Sequence, residues 1–147
     1  MRLEGVEIIK TSRDKVWQFV TDPHVISQCA PGARSLEVLA PNERFRVVAD
    51  VHLGTIAVTF TVTVTYALLG EPELANFRAT ATAAGSEARV TSYLVLTETA
   101  QGWTEMKWTV DLTVFGSIAG LAERLIPPVS KQLVEEFFKC VKKTLEV

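Results

Sequence analysis

The sequence predicts an α+β fold in which a seven-stranded, curved antiparallel sheet wraps around a long C-terminal helix. Three observations predict this fold. From Gly116 onward, apolar side chains recur every three or four positions, which is the period of an amphipathic helix. Between residues 35 and 115 the apolar period falls to two, and the intervening turns are too short to join parallel strands. Signals for two short helices separate a first strand from the other six.

The predicted C-terminal helix has one apolar face and one charged face. Its apolar stripe contains Ile118, Leu121, Ala122, Leu125, Ile126, Val129, Leu133, Val134, Phe137, Phe138, Val141 and Leu145. Charged residues fall mostly on the other side, so the stripe must pack on a surface built by the rest of the chain. Pro127 and Pro128 lack an amide donor and crowd the preceding turn, so we expect a kink or break near Ile126.

The N-terminal segment predicts one strand and two short helices before the second strand. The strand spans residues 3–10, and Thr11 with Asp14 forms a capping pair for the first helix. The apolar residues of that helix are Val16, Trp17, Phe19 and Val20. The second helix begins at Asp22 and Pro23, because aspartate caps helix starts and proline suits a first turn, and it ends at residues 31–32.

Six further strands are predicted at residues 35–39, 43–53, 56–69, 74–83, 88–97 and 103–115. Their inward residues share apolar or small side chains and are Phe45, Val47, Ala49, Val51, Leu53, Val58, Phe60, Val62, Val64, Tyr66, Phe77, Ala79, Ala81, Ala83, Ala88, Val90, Ser92, Leu94, Leu96, Thr104, Met106, Trp108, Val110, Leu112 and Val114. A long antiparallel sheet curves as it twists, so space can remain between its hollow face and the helix.

Composition limits the possible functions. The 147 residues predict a single domain, 1–147, and the 15 basic and 17 acidic residues form no basic block for nucleic acid. The N-terminus lacks the apolar core of a signal peptide, so we expect a cytoplasmic protein. Cys29 and Cys140 are far apart and His24 and His52 are isolated, so we expect two buried thiols and no metal site or cofactor.

Several local sequences resemble the CoxG family of carbon monoxide dehydrogenase subunits. They are Lys15-Val16-Trp17, Asp22-Pro23, Cys29-Ala30-Pro31-Gly32-Ala33 with Ser35-Leu36-Glu37, Leu53-Gly54-Thr55-Ile56 before Thr59-Phe60, Ala88-Arg89-Val90, Gly116-Ser117-Ile118-Ala119, Arg124-Leu125-Ile126 and Phe137-Phe138. The resemblance covers essentially the whole chain. It implies the helix-grip fold of the START-like, or SRPBCC, superfamily, whose members hold lipids, quinones or polyketides in an apolar pocket. It also implies an accessory of a molybdenum-containing carbon monoxide dehydrogenase-type enzyme at the cytoplasmic membrane.

The inward residues contain no Asp, Glu, His, Lys or Arg, so the hollow lacks an evident general acid or base. Asp50, His52 and Asp111 alternate outward, where a charge is solvated. We therefore expect a noncatalytic carrier of a hydrophobic molecule. Two alternatives are a small cyclase or hydratase that uses Ser92, Thr104 or Tyr66, and a docking module with a filled core.

Combined with the resemblance, the inward pattern selects candidate ligand-binding residues in the middle of the sheet and on the helix. They are Phe60, Val62, Ala79, Ala81, Leu94, Met106, Trp108, Val110, Leu121, Leu125, Val129 and Leu133. Residues 115–121 and 126–128 are the candidate entrance, because glycines and prolines loosen a helix. Apolar residues at this entrance could instead contact a membrane surface or a partner enzyme.

Overall fold

The computed structural model describes residues 1–117 and 119–146. The elements are β1 (Arg2–Ile9), α1 (Arg13–Thr21), α2 (Pro23–Ile26), a 3₁₀ turn (Ser27–Cys29), β2 (Ala33–Ala40), β3 (Arg44–Leu53), β4 (Ile56–Gly70), β5 (Leu74–Ala83), β6 (Ser86–Glu98), β7 (Thr104–Gly116) and α3 (Ala119–Leu145). The seven strands form one antiparallel sheet in the order β1-β7-β6-β5-β4-β3-β2. This arrangement confirms the predicted helix-grip fold.

The helix starts follow the sequence signals closely. Ser12 caps α1, and its hydroxyl accepts a hydrogen bond from the Lys15 amide at 3.4 Å. Asp22 caps α2 through the His24 amide at 2.9 Å, and Pro23 occupies the first turn. The second helix is shorter than the sequence suggests, because it tightens into the 3₁₀ turn before residues 31–32.

The register of the sheet places the predicted inward residues on one face. Phe60 pairs with Ala49, and in the next row Val62 pairs with Val47 on one side and with Ala81 on the other. Because side chains alternate along each strand, directly paired residues point to the same side. This row continues through Ala88 to Val114, so residues from five strands share one concave surface.

The packed core lies at one end of this concave surface. It contains residues of α1, the C-terminal half of α3 and the adjoining strand ends, including Ile9, Val16, Trp17, Phe19, Val20, Leu96, Met106, Phe138 and Val141. Ile9, Val16, Met106 and Val141 are fully buried. The N-terminal half of α3 crosses the other end, beyond this core.

The predicted break near Ile126 is wrong, because α3 is continuous from Ala119 to Leu145 with Pro127 and Pro128 inside it. Each proline removes one helical hydrogen bond, so the flanking turns must hold the helix together. Ile126 and Val129, on either side of the prolines, lie against the concave surface, while both prolines are exposed. The rings therefore face outward, where they meet no strand.

The two cysteines are also not the free thiols that we expected. Cys29 and Cys140 form a disulfide, with their Cα atoms 5.4 Å apart and 111 positions between them in sequence. The 3₁₀ turn brings Cys29 beside the C-terminal half of α3. Sequence spacing alone cannot indicate such a pair, because this proximity depends on how the helix lies on the sheet.

Candidate functional site

A cavity of about 320 Å³ lies between the concave face of the sheet and the N-terminal half of α3. The strands contribute Leu3, Val51, Phe60, Val62, Ala81, Ala88, Val90, Val110, Leu112 and Val114, and α3 contributes Ile126, Val129, Ser130, Leu133 and Val134. Its volume falls at the lower end of the range for small-molecule sites. Apolar walls of this kind favour an apolar ligand, because binding removes apolar surface from water.

The cavity adjoins an open depression at each end. One depression lies at the start of α3, includes Met1 and Pro127, and shares Leu112, Val114 and Ile126 with the cavity. The other lies beside β3, includes His52 and Glu136, and shares Val51, Val129 and Leu133 with it. These shared residues place the cavity in a passage beneath α3.

The second depression exists because β2 covers only part of β3. The β2–β3 pairing runs no further along β3 than Ala49, which pairs with Ala33, and a hydrogen bond of 3.0 Å joins the Asp50 amide to the Gly32 carbonyl. Beyond this point the outer edge of β3 has no strand beside it. Residues of α3, including Gln132 and Glu136, form the facing wall.

Six of the twelve candidate ligand-binding residues line the cavity: Phe60, Val62, Ala81, Val110, Val129 and Leu133. Ala79 and Leu125 are half-buried outside its lining, and the side chain of Leu121 lies outside the part of the chain that the structure describes. Leu94, Met106 and Trp108 also lie outside it, within or against the packed core. They differ because the void lies near one end of the sheet and not at its centre.

Trp108 illustrates this displacement. Its ring lies 5.8 Å from that of Phe138 in α3, so the indole face that we assigned to a ligand is in contact with the core instead. Met106 is fully buried beside it in the same strand. Neither side chain is available to a molecule in the cavity.

The cavity also contains residues absent from the sequence-based set. Val51, Ala88, Val90, Leu112 and Val114 had the right inward alternation but lie beyond the middle of the sheet. Leu3 could have been found from strand 1, where it alternates inward with Gly5, because they pair with Val110 and Trp108. Ser130 could have been found from the helical period, since it lies one turn from both Ile126 and Val134.

The predicted entrance is tied down at its beginning. The Ser117 amide donates to the Gly85 carbonyl at 2.9 Å, and the Ser117 and Ser86 hydroxyls lie 3.0 Å apart. Ile118 lies outside the described residues. Any opening movement of this segment would therefore pivot after Ser117, while Pro127 borders the depression beside it.

Three hydroxyls that we considered for catalysis lie outside the cavity lining. Thr104 is fully buried and donates to the Thr11 carbonyl at 2.9 Å. Tyr66 donates to the Val20 carbonyl at 3.3 Å, and burial, with a smaller contribution from Asp22, raises its pKa far above the ordinary value. Ser92 is half-buried, and no described contact brings it into the cavity.

Charged groups are held elsewhere. Asp50 accepts a hydrogen bond of 2.6 Å from Thr59, and a hydrogen bond from Arg2 lowers the pKa of Asp111. Glu7 lies on the concave face, opposite Met106, but is neutralised by Lys142 at 2.8 Å. Within residues 1–117 and 119–146, no three His, Cys, Asp or Glu side chains cluster as metal ligands would.

The sequence model of the CoxG family, which is described as a subunit of carbon monoxide dehydrogenase, matches residues 5–146. The chain belongs to this family. No curated protein matches it. No helix in the described part of the chain has both the length and the apolarity to cross a membrane.

Solved structures share the fold at low sequence identity. A conserved protein from Geobacillus kaustophilus superposes with a TM-score of 0.90 at 19% identity, covering 99% of this CoxG-family chain and 95% of that one. The Zhui aromatase/cyclase from Streptomyces sp. R1128 gives 0.75 at 14% identity, covering 99% and 93%. A START superfamily protein from Mycobacterium smegmatis gives 0.70 at 14% identity, covering 99% and 97%. These likenesses support a START-like, ligand-binding architecture.

Proposed function

We propose that this protein is a noncatalytic carrier that binds a hydrophobic molecule, a lipid or a quinone, in the cavity beneath α3. The observation that carries the proposal is the apolar cavity itself, whose described lining includes no ionisable side chain. Phe60 offers an aromatic face in this wall, against which a planar ring can stack. Burying about 300 Å² of apolar ligand surface would contribute about 7 kcal/mol before the costs of ordering.

Membership of the CoxG family supports a place for this carrier. We propose that it works beside a molybdenum-containing carbon monoxide dehydrogenase-type enzyme at the cytoplasmic face of the membrane. A carrier with a passage open at two ends could receive a ligand at one surface and release it at another. If so, deleting the gene should lower the share of the molybdenum enzyme's activity that sediments with membranes, and restoring the gene should return it.

Extraction of the purified protein with organic solvent, followed by mass spectrometry, tests the binding itself. We expect a stoichiometric apolar compound, or binding of added 2-methyl-1,4-naphthoquinone by a protein that has been stripped of ligand. A protein that contains no such compound and ignores the added quinone would refute the carrier.

A matched pair of variants places the binding in the cavity. Ala88→Leu adds a larger side chain to the cavity wall, whereas Ala57→Leu makes the same change at an exposed position of β4. We expect the first variant to lose most of the bound compound and the second to retain it. Equal retention by both would place the ligand outside this cavity.

A further inference from the structure

Ser130 is a polar residue in an apolar wall. It lies on α3 one turn after Ile126 and one turn before Val134, and all three residues line the cavity. Among the described lining residues, Ser130 alone has a polar side chain. The next two residues, Lys131 and Gln132, are exposed, whereas Ser130 is half-buried. Its position in the stripe therefore directs the hydroxyl toward the cavity and not toward open solvent.

The protein does not satisfy this hydroxyl. Within the described part of the chain, no hydrogen bond joins Ser130 Oγ to another residue. A helical hydroxyl often bonds back to the preceding turn, as Thr21 does by donating to the Trp17 carbonyl at 2.7 Å. Placing an unpaired hydroxyl against apolar walls is unfavourable. Packing alone would favour alanine or valine at this position.

We propose that the ligand of this cavity carries a carbonyl or hydroxyl oxygen within its apolar body, and that Ser130 binds this oxygen. A serine hydroxyl can donate to a carbonyl and can both donate to and accept from a hydroxyl. A pure hydrocarbon would leave Ser130 unpaired. The inference rests on the proposed carrier function and narrows it, because Ser130 becomes the residue that sets the ligand's orientation and selects oxygenated ligands.

Two ligands with the same ring system test the inference. One is 2-methyl-1,4-naphthoquinone, and the other is 2-methylnaphthalene, which lacks the oxygens. Equilibrium dialysis against the stripped full-length protein measures both. We expect Ser130→Ala to weaken quinone binding about fivefold, the effect of one net hydrogen bond, and to leave naphthalene binding unchanged.

Two control variants separate the hydrogen bond from packing. Ser130→Thr keeps the hydroxyl and should retain the preference for the quinone. Val129→Ala removes apolar atoms from the same wall and should weaken both ligands by the same factor. Alanine favours a helix more than serine does, so thermal unfolding should show that Ser130→Ala remains folded.

The outcomes distinguish this inference from the function on which it rests. If Ser130→Ala changes the binding of both ligands equally, or of neither, Ser130 does not recognise the oxygen, while the carrier function stands. If the unaltered protein binds neither ligand and yields no extracted compound, the carrier function itself fails.

Discussion

Gly5 lies in β1 opposite Trp108 of β7, and the indole ring occupies the space that a side chain would take. A Cβ atom placed on Gly5 would lie 2.7 Å from a ring carbon of Trp108. The ring rests against Phe138 and cannot retreat freely. We expect Gly5→Ala to lower the free energy of unfolding by about 1–3 kcal/mol in urea denaturation. Gly120→Ala, which meets nothing within 4 Å, should cause no loss.

Thr104 joins the start of β7 to the segment before α1. Its hydroxyl donates to the Thr11 carbonyl at 2.9 Å, and the side chain is fully buried. Thr104→Val keeps the shape but leaves this carbonyl unpaired, which should lower the free energy of unfolding by about 1–3 kcal/mol. Thr97→Val, at an exposed position of β6, is the matched control. Equal stability of the two variants would show that the buried hydrogen bond has no net value.

Helix α3 combines a firmly held C-terminal half with a loosely held N-terminal half. Phe138 and Val141 are buried, and Lys142 pairs with Glu7 at 2.8 Å. Toward the N-terminus, Pro127 and Pro128 each remove a helical hydrogen bond, and the cavity replaces packed side chains. In native-state hydrogen exchange, amides of residues 120–126 should exchange at least about tenfold faster than those of residues 137–145. Uniform protection would contradict an opening at this half.

The disulfide fastens the C-terminal half of α3 to the turn after α2. Closing a loop that spans 111 positions restricts the unfolded chain, so reduction should cost about 3–5 kcal/mol of stability. Thermal unfolding with and without a reductant measures this loss. The Cys29→Ser, Cys140→Ser double variant should unfold at the temperature of the reduced protein and ignore the reductant. A reductant effect that persists in this variant would point to another cause.

The elements were more predictable than the contacts between them. Alternation along β4 identifies its buried face because the period of a strand is set locally, and Asp22 with Pro23 marks the start of α2 for the same reason. The Cys29–Cys140 bond and the continuity of α3 depend on how the helix rests on the sheet. No local pattern records that placement.

At the scale of the whole molecule, the concave face divides into a packed end and a hollow end. The sequence identifies the face but not the division, so Met106 and Trp108 were assigned to the cavity although they belong to the core. Both positions have the same inward alternation as Val110, which does line the cavity. What separates them is the path of α3, whose Phe138 fills the packed end.

This division predicts opposite effects of one substitution at two places in β5. Ala81 lines the cavity, whereas Ala75 is fully buried in the packed core. Ala75→Leu must displace close-packed neighbours and should lower the free energy of unfolding by about 1–3 kcal/mol or more. Ala81→Leu should be neutral or stabilising, because its added atoms enter existing space and gain contacts there.

Urea denaturation of the two variants measures this difference, and quinone binding gives an independent readout. Ala81→Leu should bind 2-methyl-1,4-naphthoquinone more weakly while remaining at least as stable as the unaltered protein. This combination arises only if the space was empty and available to a ligand. If Ala81→Leu destabilises the protein as much as Ala75→Leu does, the hollow end is already filled, and the apolar wall beneath α3 is ordinary core.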